Sequence, residues 1–268
     1  MGKFANVLIV TDLDGTLLDS QKKIGVASRE AIRYFISEGG SFTFATGRLY
    51  QSFLGIRKRV IYNAPIVFAN GAQIINMGDA NILYQMPLES DMIPICEDVL
   101  SAFPEAALEV YAHKRCGVVR FNDISLKHML DFSIEHTLYR TARDVPQPWL
   151  KVLFTERTEV LSEIASYIQD RYQKASVCFS SKNFLEVFHA DADKGRGTLK
   201  LAEILGINPE HIYTSGDQEN DMALLQAAKL SFAPENAVDA IKERADIILP
   251  DNDSDMMAAL ISHLDSIY

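Results

Sequence analysis

The residues with the clearest chemical potential are two carboxylates in the sequence DLDGT, residues 12–16. They directly follow the apolar run VLIVT, which is typical of a buried strand. Asp12 and Asp14 would point to opposite faces if the strand continued, so a shared site requires the chain to curl, which Gly15 permits. A carboxylate is a competent nucleophile toward phosphorus, so Asp12 could form an aspartyl-phosphate while Asp14 acts as general acid and base.

The segment ATGR, residues 45–48, could bind a phosphate group. It lies between the apolar run SFTF and a predicted helix. The hydroxyl of Thr46, the backbone N–H of Gly47 and the helix N-terminus would all donate hydrogen bonds to phosphate oxygens. Arg48 could add a positive charge. An ordinary strand-to-helix turn with a solvated arginine explains the segment equally well when it is considered alone.

Charged residues in the last third of the chain could complete such a site. Lys194 precedes a predicted helix, where a lysine could hold a phosphoryl group close to its nucleophile. The sequence GDQEND, residues 216–221, follows the strand-like run HIYTS. Because carboxylates repel a phosphate, a cation is required, and we expect Asp217 to bind Mg²⁺ directly and Asp221 to act through water or hydrogen bonds. A surface lysine and a dipole-stabilised acidic turn are the alternatives.

Apolar strands alternate with amphipathic helices at both ends of the chain. Runs such as VLIVT, SFTF and PIVFAN are separated by helical stretches, and the pattern returns after residue 211. This alternation predicts an α/β fold with a doubly wound, Rossmann-like parallel sheet, in which ligands gather at the carboxyl ends of strands. The first helix is predicted to have its N-cap at Ser28 and to end before Gly39.

The middle of the chain has a different pattern. Strand-like runs sometimes follow one another directly, as around residues 107–121, and helical stretches lie between others. This mixture predicts an α+β domain inserted into the parallel core. We therefore predict a catalytic core formed by residues 1–83 and 189–268, and an inserted domain at residues 84–188.

The composition limits the classes of partner. A chain of 268 residues with 48% hydrophobic content can bury a substantial core, and its net charge of -10 argues against nucleic acid as a partner. The absence of an apolar run of about 18 residues argues against a membrane span. Cys96, Cys116 and Cys178 lie far apart in sequence, which predicts buried free thiols in a reducing cytoplasm.

Taken together, the four segments resemble those of the haloacid dehalogenase-like hydrolases, specifically the Cof-type phosphatases with a large α/β cap. The resemblance spans essentially the whole chain, and DLDGTL is its most specific element. It implies a Rossmann-like core, a cap that corresponds to the predicted insert, and Mg²⁺ as cofactor. The segment NGA, residues 70–72, resembles the one that leads toward the cap, although Ala69 stands where an acidic residue is frequent.

The resemblance also implies roles for the matching positions. The implied metal ligands are Asp12, which is also the nucleophile, Asp14 through its carbonyl, and Asp217, and we expect Asp221 to support the same ion through water or hydrogen bonds. Lys194 would contact both the phosphate and the nucleophile. The implied phosphate or substrate contacts are the backbone N–H of Leu13, the residues Thr46, Gly47 and Arg48, and the amides of Asn70 and Asn220.

The leading hypothesis is magnesium-dependent hydrolysis of a small phosphomonoester, such as a sugar phosphate, through an aspartyl-phosphate. One alternative is a phosphotransferase or phosphomutase, because the same nucleophile could pass its phosphoryl group to a hydroxyl instead of water. The other alternative is a catalytically silent protein that binds phosphate. The sequence leaves the substrate and the oligomeric state open.

Overall fold

The computed structural model describes residues 2–112 and 115–268. The strands are β1 (Leu8–Thr11), β2 (Ser41–Phe44), β3 (Ile66–Phe68), β4 (Gln73–Asn76), β5 (Asn81–Gln85), β6 (Ala107–Ala112), β7 (Arg115–Arg120), β8 (His136–Leu138), β9 (Trp149–Thr155), β10 (Ala175–Ser181), β11 (Phe184–His189), β12 (Ile212–Ser215), β13 (Leu230–Pro234) and β14 (Ile247–Leu249). The α-helices are α1 (Val26–Ser37), α2 (Tyr50–Leu54), α3 (Met92–Ala102), α4 (Asp123–Asp131), α5 (Thr158–Arg171), α6 (Lys194–Leu205), α7 (Met222–Gln226), α8 (Asp239–Arg244) and α9 (Met256–Asp265).

The central sheet combines strands from the two ends of the chain. Its order is β14–β13–β12–β1–β2, and every neighbouring pair is parallel. Leu8 of β1 pairs with Ile212 on one side and with Ser41 on the other. Residues of β1 are buried throughout, which explains why this strand is apolar without alternation. The predicted α/β fold with a parallel core sheet is confirmed.

Apolar side chains of β1 and β12 pack against α6 on one face of this sheet. The cluster includes Leu8, Val10 and Ile212 from the sheet and Leu201 from α6. On a separate surface α1 packs against α9. Strand β3 contacts the edge of this sheet through an isolated parallel bridge between Ala45 and Val67. It otherwise belongs to a separate three-stranded sheet with the order β3–β4–β5.

The second sheet is mixed, with the order β10–β11–β9–β6–β7–β8. Its pairs are antiparallel except for β7 and β8, which are parallel. Helices α3 and α5 cover one face, where residues such as Val99, Val152 and Ile164 form a buried core. The predicted α+β character of this middle region is therefore confirmed.

Contacts among the described residues divide the chain into two compact units. The first comprises Met1–Arg48, Gly55–Tyr84 and Asp193–Tyr268, and the second comprises Leu49–Leu54 and Gln85–Ala192. Within the described ranges, we find no helix that combines the length and apolar character needed to cross a bilayer.

Two details of the sequence predictions are wrong. Helix α1 begins at Val26, and the backbone N–H of Ser28 is bound by the carboxylate of Asp255, 2.8 Å away, so the cap comes from a distant segment. Cys178 is exposed because β10 is an edge strand, whereas Cys96 and Cys116 are buried as expected. The predicted end of α1 is correct, since Gly39 follows it with a φ of +90°.

Candidate active site

Three neighbouring strands deliver the candidate residues to one edge of the central sheet. Asp12 follows β1, Thr46 follows the end of β2, and Asp217 follows β12. Because β1 lies between β12 and β2 and all three run in the same direction, their carboxyl ends meet at the same edge. The backbone continues this register for one residue, since the Asp12 N–H donates to the Ser215 carbonyl over 2.7 Å.

A buried lysine joins two of the candidate carboxylates. The Lys194 ammonium donates to Oδ1 of Asp12 and to Oδ1 of Asp221, both over 2.6 Å. The Lys194 side chain is 1% exposed, and both carboxylates are also buried. Lys194 is the first residue of α6, whose N-cap Asp193 accepts from the backbone N–H of Arg196. The start of a capped helix therefore fixes where the lysine enters the site.

A third carboxylate completes the buried group. One oxygen each from Asp12, Asp217 and Asp221 lies within 4.8 Å of the others. The Thr16 hydroxyl donates to Oδ1 of Asp217 over 2.6 Å. Gly15 adopts a φ of +94°, and a Cβ built on it would lie 2.5 Å from Oδ2 of Asp217. The DLDGT turn can approach Asp217 this closely only because residue 15 has no side chain.

Burial and mutual repulsion raise the affinity of this group for positive charge. Burial raises the pKa of Asp12 to about 7, although Lys194 opposes the shift. Burial also raises the pKa of Asp217, against hydrogen bonds from Thr16 and Gln218. Burial alone would lower the pKa of Lys194, but attraction to Asp12 and Asp221 raises it on balance. Lys194 is thus a fixed cation among carboxylates that favour either a proton or a metal ion.

Asp14 lies outside this buried group and is held by two other cations. Arg48 donates from Nε to Oδ2 over 2.6 Å and from Nη2 to Oδ1 over 2.8 Å. The Lys22 ammonium donates to Oδ1 over 3.0 Å. Burial would raise the pKa of Asp14, but the hydrogen bonds from Arg48 and then Lys22 lower it on balance. Asp14 is therefore ionised and restrained in this arrangement.

The predicted phosphate contacts form a connected group. The Asn220 side-chain amide donates to Oδ1 of Asn70 over 3.1 Å, and the Asn70 backbone N–H donates to the Thr46 carbonyl over 3.0 Å. A Cβ placed on Gly47 would lie 3.1 Å from Oδ1 of Asn70. Leu13 lies in the turn between the two aspartates, with its side chain fully buried. Arg48 is directed to Asp14, as described above.

No role was predicted from the sequence for three residues that the structure brings to the site. Thr16 binds Asp217, Lys22 binds Asp14, and the Asn236 amide donates to the Gly15 carbonyl over 2.8 Å. Thr16 belongs to the same motif as the aspartates, so its position was a usable signal. Lys22 and Asn236 reach the site through turns and long-range contacts, which no local pattern reveals.

The chain is similar over nearly its whole length to curated phosphatases and to a solved structure. The chain is 26% identical over 281 residues to the 5-amino-6-(5-phospho-D-ribitylamino)uracil phosphatase YwtE of Bacillus subtilis, covering 96% of this chain and 97% of that protein. It is 25% identical over 274 residues to the pyridoxal phosphate phosphatase YbhA of Escherichia coli, covering 96% and 98%. A haloacid dehalogenase-like hydrolase from Bacteroides thetaiotaomicron superposes with a TM-score of 0.85 at 25% identity, covering 98% and 100%.

The family match extends across almost the whole chain. Residues 9–261 match the haloacid dehalogenase-like hydrolase family, and this range includes every residue of the site described above. The Cof-type resemblance of the sequence is therefore confirmed, and the chain belongs to the haloacid dehalogenase-like hydrolases.

Proposed function

We propose that this protein is a magnesium-dependent phosphatase that hydrolyses a small phosphomonoester through an aspartyl-phosphate at Asp12. The observation that carries the proposal is the buried group of Asp12, Asp217 and Asp221, two of which, Asp12 and Asp221, bind the ammonium of Lys194. Phosphatase chemistry on small phosphate substrates is also the activity named for both curated relatives.

The residues present fit a divalent cation. When all three carboxylates are ionised, they leave an excess of two negative charges over the one ammonium in a buried volume, and such an excess is costly unless a cation or a proton offsets it. Oxygen ligands suit Mg²⁺, which commonly uses one or two carboxylates together with substrate phosphate. Asp12 and Asp217 would hold the ion, Asp14 through its carbonyl, and Asp221 indirectly. When bound, Mg²⁺ would offset negative charge on the phosphoryl oxygens.

In the first chemical step, a carboxylate oxygen of Asp12 attacks phosphorus and the bond to the leaving oxygen breaks. Lys194, whose position is fixed by Asp12 and Asp221, stabilises charge on the phosphoryl group. Protonated Asp14 donates its proton to the leaving oxygen, which departs as an alcohol. Because both oxygens of Asp14 accept hydrogen bonds from Arg48 or Lys22, one of these hydrogen bonds must break before an oxygen of Asp14 can carry this proton.

In the second step, water attacks phosphorus and the Asp12–phosphorus bond breaks. Asp14, left ionised by the first step, removes the proton from that water. The products are inorganic phosphate and the regenerated Asp12 carboxylate. The connected group of Thr46, Gly47 and Asn70 would donate hydrogen bonds to the phosphoryl oxygens during both steps.

We further propose that the α+β region is a cap domain, with predicted boundaries at residues 84–188 between core segments 1–83 and 189–268. Its core, formed by one sheet face with α3 and α5, supports a separately packed unit. In this proposal the cap excludes water and chooses among small phosphorylated metabolites, including sugar phosphates. The cytoplasmic location stays a prediction.

The test is phosphate release from a panel of phosphorylated sugars, cofactors and acids, measured with Mg²⁺ and with EDTA. We expect Mg²⁺-dependent release by the native protein and none by Asp12→Asn. Asp131→Asn is a matched control because that exposed carboxylate pairs only with the nearby Lys127 in the contacts described. Equal release by the native protein and Asp12→Asn would overturn the assignment of the nucleophile.

Two outcomes would favour the alternatives. Formation of a new phosphomonoester when sugar acceptors are added would indicate a phosphotransferase or phosphomutase. Binding of phosphorylated compounds without turnover of any of them would indicate a silent phosphate-binding protein. Trapping of labelled phosphate on Asp12 after acid quench, identified by mass spectrometry, distinguishes both enzymatic routes from silent binding.

A further inference from the structure

A tight turn directs the Lys22 side chain toward Asp14. The Asp19 N–H donates to the Lys23 carbonyl over 2.8 Å, and the Lys22 N–H donates to the Asp19 carbonyl over 2.9 Å. The Asp19 carboxylate accepts from the backbone N–H groups of Gln21 and Lys23, both over 2.8 Å. Lys22 itself has a φ of +59°, which is uncommon for a residue with a side chain. The turn therefore holds Lys22 in a defined and strained conformation.

Asp14 does not need Lys22 to complete its own hydrogen bonds. The Arg48 fork already occupies both carboxylate oxygens, which is the preferred geometry of an arginine–carboxylate pair. Lys22 adds a second positive charge to a carboxylate that carries only one negative charge. The two cations and one carboxylate leave one positive charge in excess beside the proposed acid–base residue.

Lys22 is also the more adaptable of the two cations. Its side chain is 53% exposed, compared with 24% for Arg48, and it makes one contact with Asp14 where Arg48 makes two. An exposed lysine ammonium on four methylene groups can change partner at low cost, whereas the planar arginine fork is fixed by its geometry. A second anion near Asp14 would therefore draw Lys22 first.

The position of Asp14 limits where that anion would lie. A general acid lies about 2.6–3.2 Å from the oxygen that it protonates. Lys22 Nζ lies 3.0 Å from the same carboxylate. When Oδ1 is the oxygen that faces the leaving group, the ammonium is within about 6 Å of the leaving oxygen, a span that the second or third atom of the leaving group can bridge.

We infer that Lys22 is a specificity-determining residue that selects phosphomonoesters whose leaving group carries its own anionic group close to the ester oxygen. This inference rests on the proposed function, because it takes Asp14 as the acid beside the leaving group. The chemical class is a phosphorylated carboxylic acid or a bisphosphate, and in both cases the recognised feature is the second negative charge.

The test compares substrates that differ only in this charge. For the carboxylate, 3-phosphoglycerate is compared with glycerol 3-phosphate, and for the phosphate, ethane-1,2-diol bisphosphate is compared with the monophosphate. We expect kcat/KM of the native protein to favour one charged member by about tenfold or more, the usual effect of a charge-assisted hydrogen bond. The pair that shows the preference identifies the anion.

The variants are Lys22→Met, Lys22→Arg and the control Lys23→Met, whose ammonium binds the Gln21 amide oxygen instead of Asp14. Lys22→Met should bring the ratio of kcat/KM between the charged substrate and its counterpart close to one. Lys22→Arg should keep most of the native preference, and Lys23→Met should keep all of it. A preserved ratio in Lys22→Met, an equal loss for both substrates, or a native ratio near one in both pairs would overturn the inference.

Binding measurements separate this inference from the proposed function. In the Asp12→Asn background, calorimetry gives Kd for the same compounds with and without Lys22→Met. Tighter binding of the charged compounds that depends on Lys22 supports the inference even if the native protein hydrolyses nothing. Turnover of p-nitrophenyl phosphate, whose leaving group carries no second anionic group, with no Lys22-dependent discrimination in either assay overturns the inference while the proposed function stands.

Discussion

The two compact units each bury charged side chains, but they differ in how their carboxylates are grouped. In the first unit, the carboxylates of Asp12, Asp217 and Asp221 lie together with the single ammonium of Lys194. In the second unit, each of two buried or half-buried carboxylates has partners of its own. Glu109 accepts from the Tyr111 hydroxyl over 2.7 Å and lies 3.1 Å from Nδ1 of His128.

The other pair of the second unit is a simple ion pair. The Lys151 ammonium donates to Glu186 over 2.8 Å and lies over the Tyr111 ring, 5.2 Å from its centroid. Both side chains of this pair are at most 14% exposed. The contrast shows that burial of charge does not by itself identify a ligand site. A buried group in which carboxylates outnumber cations is a better indicator of a ligand site. Its excess negative charge can be offset only by an added ion or a proton.

The largest expected effect follows from replacing Asp12, the proposed nucleophile, in the buried group that it forms with Asp217 and Asp221. Asp12→Asn should lower kcat by at least about 10⁴-fold, as loss of a covalent catalyst usually does. Because the same change removes one of the excess negative charges, its unfolding midpoint in EDTA should not fall. Steady-state phosphate release and thermal denaturation measure the two effects. A large loss of stability together with the loss of activity would contradict the statement that the group around Asp12 carries excess negative charge.

Metal binding should stabilise the first unit through the same excess charge. Mg²⁺ at 100 times its Kd should add about 2.7 kcal/mol to the free energy of unfolding. Asp217→Asn should abolish this increment, because it removes a proposed ligand. Glu186→Gln, which changes the balanced ion pair of the second unit, should retain it. Urea denaturation with and without Mg²⁺ measures this increase in the free energy of unfolding. An equal increase in Asp217→Asn would mean that the ion binds elsewhere.

Neutralising the Glu109 carboxylate of the second unit should have the opposite effect on stability from Asp12→Asn. Glu109 is fully buried, and both of its partners would lose a charged acceptor in Glu109→Gln. We expect a loss of about 2 kcal/mol, a usual value for hydrogen bonds to a buried charge. Urea denaturation of Glu109→Gln and Asp12→Asn side by side provides the measurement. The comparison fails if both variants change stability in the same direction and by a similar amount.

An exposed carboxylate outside both groups gives the smallest effect and serves as a reference. The Ser231 hydroxyl donates to Asp246 over 2.6 Å, and this hydrogen bond is the main cause that lowers the pKa of Asp246. A lowered folded-state pKa contributes stability above the unfolded value of about 4, and this contribution is lost as the pH falls through the folded value.

Ser231→Ala should therefore cost about 1 kcal/mol at pH 7 and progressively less below about pH 4. Chemical denaturation at a series of pH values from 7 to 3 would show this convergence. A difference between the native protein and Ser231→Ala that grows on acidification would mean that Asp246 is not the group responsible.

The sequence predicted the parts of the site that follow directly from strand ends. VLIVT before DLDGT and HIYTS before GDQEND mark β1 and β12, and their shared direction brings Asp12 and Asp217 to one edge. Gly15 was predicted to allow a curl, and it has the positive φ that a curl requires. These features depend on apolar patterning and glycine, which are local properties of the chain.

The remaining features depend on partners that are distant in sequence. Lys22 reaches Asp14 because a turn places a non-glycine residue at positive φ, and nothing in the local sequence QKKIG distinguishes Lys22 from Lys23. The pairing of Lys151 with Glu186 requires the register of β9 and β11, whose order in the sheet differs from their order in the chain. Local periodicity predicts a strand but not its neighbour.

The place of β1 in the central sheet has a consequence for how the protein is made. The strand that precedes Asp12 is synthesised about 200 residues before β12, one of its two neighbours in the sheet. Pairing across such a separation is slow, and during translation it must wait until β12 has emerged from the ribosome. Asp12, the proposed nucleophile, therefore acquires the neighbouring carboxylates of Asp217 and Asp221 only after β12 has been synthesised, which delays the assembly of the proposed site in the nascent chain.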